Sequence, residues 1–112
     1  MPSVAFCVPI IPGKEETDRK GFEEAAGPRR EEFDASRRRA GISREMVWHQ
    51  ETPNGTVAVV YLEADDIPTS MRALGASDDP FDQRFRELLM EVHGIDLTEG
   101  GPAPELVHEA SF

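Results

Sequence analysis

Glu45-Met46-Val47-Trp48-His49-Gln50-Glu51, then Thr52-Pro53-Asn54-Gly55, then Thr56-Val57-Ala58-Val59-Val60-Tyr61-Leu62-Glu63 is the stretch whose reading decides the fold. Two runs rich in β-branched and aromatic residues flank a Pro-Asn-Gly turn, the pattern of a β-hairpin. Pro53 suits the fixed φ of a type I turn, and Gly55 suits a left-handed bulge position. That reading predicts a three-residue loop in which Thr52 faces Thr56. Counting outward, Glu51 faces Val57, His49 faces Val59, Val47 faces Tyr61 and Glu45 faces Glu63. Met46, Trp48, Ala58, Val60 and Leu62 then form an apolar core face, while His49 shares the other face with Tyr61, Glu63 and Glu51. A two-residue Asn54-Gly55 loop shifts every pair by one and exchanges the partners. The first register is preferred because the tighter loop asks Pro53 for a hydrogen bond it cannot donate.

Outward from the hairpin, Ser3 to Ile11 reads as a first strand that ends at Pro12-Gly13. A polar helical stretch begins near Lys14, breaks at Gly27-Pro28 and resumes through Arg39, with Gly41 as its C-cap. Asp66 can cap a short helix from Ile67 to Leu74, and Asp78-Asp79-Pro80 opens a second one. Phe81, Phe85, Leu88, Leu89 and Val92 recur at helical spacing along that helix, which Gly94 ends. Glu105 to Ala110 reads as a last strand. The order β-α-β-β-α-β predicts an α+β sandwich of ferredoxin-like type, one domain over residues 1–112, with helices on one side of a largely antiparallel sheet. The uncovered sheet face then calls for a second copy, a homodimer.

The net charge of -10 excludes nucleic acid and anionic membrane surfaces as partners, because both demand clustered positive charge. No apolar run reaches the roughly 20 residues of a membrane span. The single cysteine, Cys7, precludes an internal disulfide and fits a reducing cytoplasm. His49, His93, His108 and Cys7 lack the close spacing of a zinc site, and no glycine-rich phosphate loop or nucleophile elbow occurs. No metal or cofactor is therefore expected.

Several short motifs resemble those of a family of small bacterial proteins. They are Gly27-Pro28-Arg29-Arg30, Val47-Trp48-His49-Gln50, Thr52-Pro53 with Gly55, Tyr61-Leu62-Glu63-Ala64-Asp65-Asp66, Pro80-Phe81-Asp82 and His93-Gly94-Ile95-Asp96-Leu97. That family looks like part of the dimeric α/β-barrel superfamily. The resemblance implies a dimeric α/β barrel and a function among cofactor-independent monooxygenases, cyclases or isomerases and small-molecule-binding stress proteins. Haem-degrading members use an Asn-Trp-His set; here Trp48 and His49 are present, but the only asparagine, Asn54, lies in the turn.

His49 is the expected general acid/base, because imidazole exchanges protons near neutral pH. Tyr61 and Glu63 are expected beside it as positioning groups. Arg30 or Arg37, with Glu51 and His108, are expected to bind a small organic substrate. Trp48 is expected in the core and His93 at a helix C-terminus. The alternative is a non-catalytic binding or stress-response dimer in which the same residues satisfy one another.

Overall fold

The computed structural model describes residues 2–99 and 104–112. Three strands, β1 (Ser3–Pro9), β2 (Ile42–Thr52) and β3 (Gly55–Ala64), form one antiparallel sheet in the order β1-β3-β2. Between β1 and β2 the chain makes α1 (Glu15–Ala26) and α2 (Arg30–Ala40); after β3 it makes α3 (Ile67–Ala76), α4 (Pro80–His93) and a 3-10 turn at Leu97–Glu99. The architecture is thus α+β. Residues 104–112 form no strand in the single chain, so the expected sixth element is not built there, and His108 is exposed.

The local signals act where the sequence places them. The helical stretch is split at Gly27-Pro28, where the Gly27 and Arg29 amides both return to the Glu24 carbonyl. Gly41 and Gly94 close α2 and α4 with φ of 79° and 69°, the left-handed conformation that costs glycine nothing. Asp66 and Asp79 cap α3 and α4 by accepting from the Thr69 and Phe81 amides, and proline follows near each start.

The hairpin register departs from both sequence alternatives. Thr52 pairs with Gly55, and Pro53-Asn54 alone form the loop. Thr52 closes this turn with its own side chain, accepting from the Asn54 amide at 3.1 Å and donating to the Gly55 carbonyl at 2.6 Å. Pro53 sits where no backbone donor is needed, so the objection to a two-residue loop does not apply at this position. Gly55, at φ 111°, takes the turn into β3. The pairs are then His49 with Ala58, Val47 with Val60, and Met46 with Tyr61.

This one-residue change exchanges the faces of β3 relative to β2. The inner face carries Val4, Phe6 and Val8 from β1, Glu45, Val47 and His49 from β2, and Ala58, Val60 and Leu62 from β3. The helices cover it, leaving Ala58 and Leu62 buried. The outer face carries Ala5, Cys7, Met46, Trp48, Val57, Val59, Tyr61 and Glu63. Trp48, expected in the core, is 49 % exposed there.

Two small apolar clusters hold the helices on the sheet. One gathers Ala40, Ile42, Leu62, Ala64 and Leu74; the other gathers Ile10, Ala58 and Val92. A polar pin joins α2 to α4: Asp82, 2 % exposed, accepts from the Ser36 hydroxyl, from Ser77 Oγ at 2.6 Å and from Arg39 Nη2 at 3.0 Å. Arg86 ties α4 to the end of α3 by donating to the Leu74 and Ser77 carbonyls at 2.7 and 2.9 Å.

Burial pushes the Asp82 carboxyl up, but its hydrogen bonds from Ser36, Ser77 and Arg39 outweigh that and hold it below the ordinary carboxylate value. The folded chain thus binds this proton more weakly than the unfolded chain. The resulting stabilisation is complete above the unfolded value near 4 and is lost as pH falls through the lower folded value. Asp82→Asn is expected to cost about 1–3 kcal/mol at pH 7 and to flatten the fall in stability below about pH 4. Urea melts across pH 2.5–7 check both expectations.

Candidate functional site

The two clusters leave the middle of the inner face unfilled. A cavity of about 350 Å³ lies there between the sheet and the helices, walled by Phe6, Phe22, Phe33, Val47, Val60 and Phe85. Its size falls in the range of small-molecule sites, roughly 300–1,000 Å³. A second, more open cleft of about 600 Å³ adjoins it and shares Phe22, Ala25, Phe33, Glu45 and Val47. Arg30 and His49 line this outer cleft.

Two hydrogen-bonded pairs enter this apolar region from β2. His49 Nε2 lies 2.7 Å from Asp18 Oδ2, with the histidine side chain 17 % exposed and Asp18 4 % exposed. Glu45 Oε1 accepts from Arg37 Nε at 2.8 Å. Glu45, Val47 and His49 alternate on one face, so the two pairs stand about 13 Å apart along the strand with Val47 between them. Asp18 lines the inner cavity while His49 lines the outer cleft, so their hydrogen bond spans the two.

The Asp18 contact determines which nitrogen of His49 is available. A carboxylate only accepts, so the bond requires a proton on Nε2. In the neutral ring the lone pair then resides on Nδ1, which is the proton acceptor. A carboxylate behind an imidazole both fixes its tautomer and stabilises the imidazolium after proton uptake. Asp18 reaches this position because α1 turns its apolar stripe inward, and Asp18, Phe22 and Ala25 follow one another at i, i+4 and i+7 on that stripe.

Arg37 is built in by a separate set of contacts. Its guanidinium carbon sits 4.5 Å from the Phe33 ring centre and 4.4 Å from that of Phe85. Nη1 donates to Ser36 Oγ at 2.9 Å, which links the arginine to buried Asp82. Phe33 meets Phe81 edge-on at 6.4 Å, and Arg29 lies 4.9 Å above the Phe81 ring. Arg29, Phe81, Phe33, Arg37 and Phe85 thus form one run of cation–ring and ring–ring contacts along one side of the cavity, and ring faces favour cations. Residue 37 was legible as a candidate; its sandwich between rings was not.

The remaining expected residues are distributed differently. Tyr61 and Glu63 meet each other, the phenol donating to Glu63 Oε2 at 2.6 Å, but on the outer face, across the sheet from His49. That bond to Glu63, followed by desolvation, pushes the Tyr61 phenol above its ordinary value. The two are therefore not partners of His49, because the β3 register places them on the opposite side. Arg30 pairs with Asp34 at 2.8 Å at the rim of the outer cleft. Glu51 is exposed near the end of β2, and His108 is exposed in the C-terminal segment; neither lines the cavity or the cleft. His93 donates from Nδ1 to the Pro9 carbonyl at 2.9 Å, joining the end of α4 to β1. Asp18 and Glu45 are the members the sequence reading missed; the signal for Asp18 was its helical spacing from Phe22.

Among the described residues, no helix is long and apolar enough to cross a membrane. No group of three or more His, Cys, Asp or Glu side chains among them is placed to hold a metal ion. No family model, curated protein or solved structure matched the chain.

A double-mutant cycle measures whether the central pair is coupled. Asp18→Asn and His49→Gln, alone and together, are expected to give a coupling of about 1–2 kcal/mol in urea denaturation at pH 6, since this is a largely buried hydrogen bond to a charged group. Additive effects contradict the pairing.

Proposed function

We propose that the chain binds a small organic molecule across the inner-face cavity and the adjoining cleft, and that Asp18 and His49, at the junction of the two, form a proton-transfer pair acting on it. The observation that carries this reading is the 2.7 Å contact between a buried carboxylate and an imidazole at the junction of the apolar cavity and the cleft. A molecule with an acidic proton, on an enol, a phenol or a carbon next to a carbonyl, can lose it to His49 Nδ1. Asp18 then stabilises the imidazolium. Arg37, held between two rings and paired with Glu45, contributes a guanidinium to the cavity wall that an anion formed there can share with that carboxylate. This reaction class needs no cofactor and accords with the cofactor-independent enzymes implied by the sequence resemblance.

The assembly proposed with it is a homodimer. The outer sheet face leaves Met46 36 % and Trp48 49 % exposed, beside half-buried Val57, Val59 and Tyr61. A contiguous apolar face of this kind supports that reading, because large exposed apolar patches are commonly used as interaction sites. Packing two such faces together corresponds to the dimeric α/β barrel expected from sequence, with the ligand cavities on the outside of the paired sheets.

A second reading, a binding protein without catalysis, is favoured by one observation. Among the described residues every buried side-chain nitrogen and oxygen has a hydrogen-bond partner. Arg37 and Glu45 in particular satisfy each other, as structural ion pairs do.

Native mass spectrometry of protein purified gently from its own host distinguishes the cases. A dimer carrying a small molecule, lost in Val47→Trp because the indole fills the cavity, is the expected result. With that molecule identified, His49→Gln is expected to reduce its turnover by about 10²–10⁴ while binding persists. Binding without turnover by the wild type selects the second reading. A chain that never carries a ligand contradicts both.

A further inference from the structure

The sequence reads residues 105–110 as a strand, yet residues 104–112 have no regular structure and every one of them is exposed. Leu106 is 76 % and Val107 85 % exposed, and Phe112 is wholly open to solvent. Leaving three large apolar side chains in water forgoes the stabilisation that their burial would give. The segment also alternates in the manner of a half-buried strand. Leu106, His108, Ala110 and Phe112 fall on one side; Glu105, Val107, Glu109 and Ser111 fall on the other.

The sheet has a complementary vacancy. Among the described residues β1 pairs only with β3; on its other edge Pro9 has no N–H and its carbonyl accepts from His93, which leaves the stretch Ser3–Val8 without a strand partner on that side. Proteins protect such edges with charged residues or proline. Ser3–Pro9 contains no charged residue and has proline only at its last position: the strand is Ser-Val-Ala-Phe-Cys-Val-Pro. Seated there, Leu106, Ala110 and Phe112 can continue the apolar inner row of Val4, Phe6 and Val8.

We infer that the segment 104–112 of one copy adds to the β1 edge of a second copy, each chain giving and receiving one strand. The inference rests on the homodimer reading and specifies how that dimer is completed. Area supports the exchange. The outer face of three strands spans about 14 by 28 Å, or about 400 Å² in plan, roughly half of the ~800 Å² per partner typical of stable interfaces. An exchanged strand on each side adds apolar contact and a row of backbone hydrogen bonds to that face.

The single native cysteine provides the test. Cys7 points to the outer side of β1, where Glu105, Val107 and Glu109 are expected to lie on the exchanged strand. Glu105→Cys, Val107→Cys and Glu109→Cys are each oxidised mildly and run on non-reducing gels. Wild type and Cys7→Ser versions serve as controls. A covalent dimer in at least one variant, abolished by Cys7→Ser, is the expected result. A disulfide-closed monomer places the segment on its own β1 and overturns the exchange. Sedimentation separates this inference from the reading beneath it. Deleting residues 104–112 is expected to raise the dimer dissociation constant roughly tenfold or more, a change of about 1.4 kcal/mol. A dimer that neither weakens on deletion nor cross-links retains the sheet-face assembly without exchange. A wild-type chain monomeric at all concentrations overturns both.

Discussion

Thr52 and Gly55 close the β2–β3 turn across Pro53 and Asn54, and that closure determines which side of the sheet each hairpin residue occupies. Strand side chains alternate, so a slip by one residue moves all of β3 to the other face. With Thr52 opposite Gly55, His49 stands beside Ala58, a small residue under the helices, and Val47 stands beside Val60. The site depends on that arrangement. A larger neighbour at position 58 takes up space beside the imidazole, and the alternative register puts Tyr61 and Glu63 on the helix side of the sheet.

Buried charge is the second constraint. Asp18, Arg37 and Asp82 are each at most 5 % exposed, and an unpaired ion in such a place is costly. Each has a defined solution. Asp18 has an imidazole, Arg37 has Glu45 with two aromatic faces, and Asp82 has two hydroxyls and Arg39. These solutions connect the site to the scaffold: Glu45, Arg37, Ser36 and Asp82 form one continuous path of hydrogen bonds from the cavity wall to the start of α4. Arg37 is thereby kept from folding back into the cavity it borders. The same packing leaves the cavity open, since the largest completely sealed side chains are Val92, Asp82 and Ser36, and the rings of Phe22, Phe33 and Phe85 line space rather than fill it.

Much of this was legible in the residues. The Gly27-Pro28 break, the aspartate caps at 66 and 79, the glycine ends at 41 and 94 and the stripe of α4 each follow from one local rule, and each appears where that rule places it. Along β2, alternation alone grouped Glu45, Val47 and His49 correctly. The partners across β3 were misassigned because the turn chemistry hinged on the Thr52 side chain, which period-2 patterning does not encode. Trp48 was read as core because it is large and apolar; which face the helices cover is a tertiary outcome. Asp18 was overlooked for the same reason, since its partner lies 31 residues away. Residues 105–110 carry a strand pattern that the isolated chain does not use.

The proton on His49 is the most direct point of test. Long-range proton–nitrogen NMR correlation on uniformly labelled protein at pH 8 reports the protonation state of each imidazole nitrogen. The expected spectrum shows a neutral His49 with the proton on Nε2 and a lone pair on Nδ1, and a loss of that tautomer preference in Asp18→Asn. A His49 protonated on Nδ1, or one unaffected by Asp18→Asn, contradicts the pairing and removes the basis for proton transfer at this site.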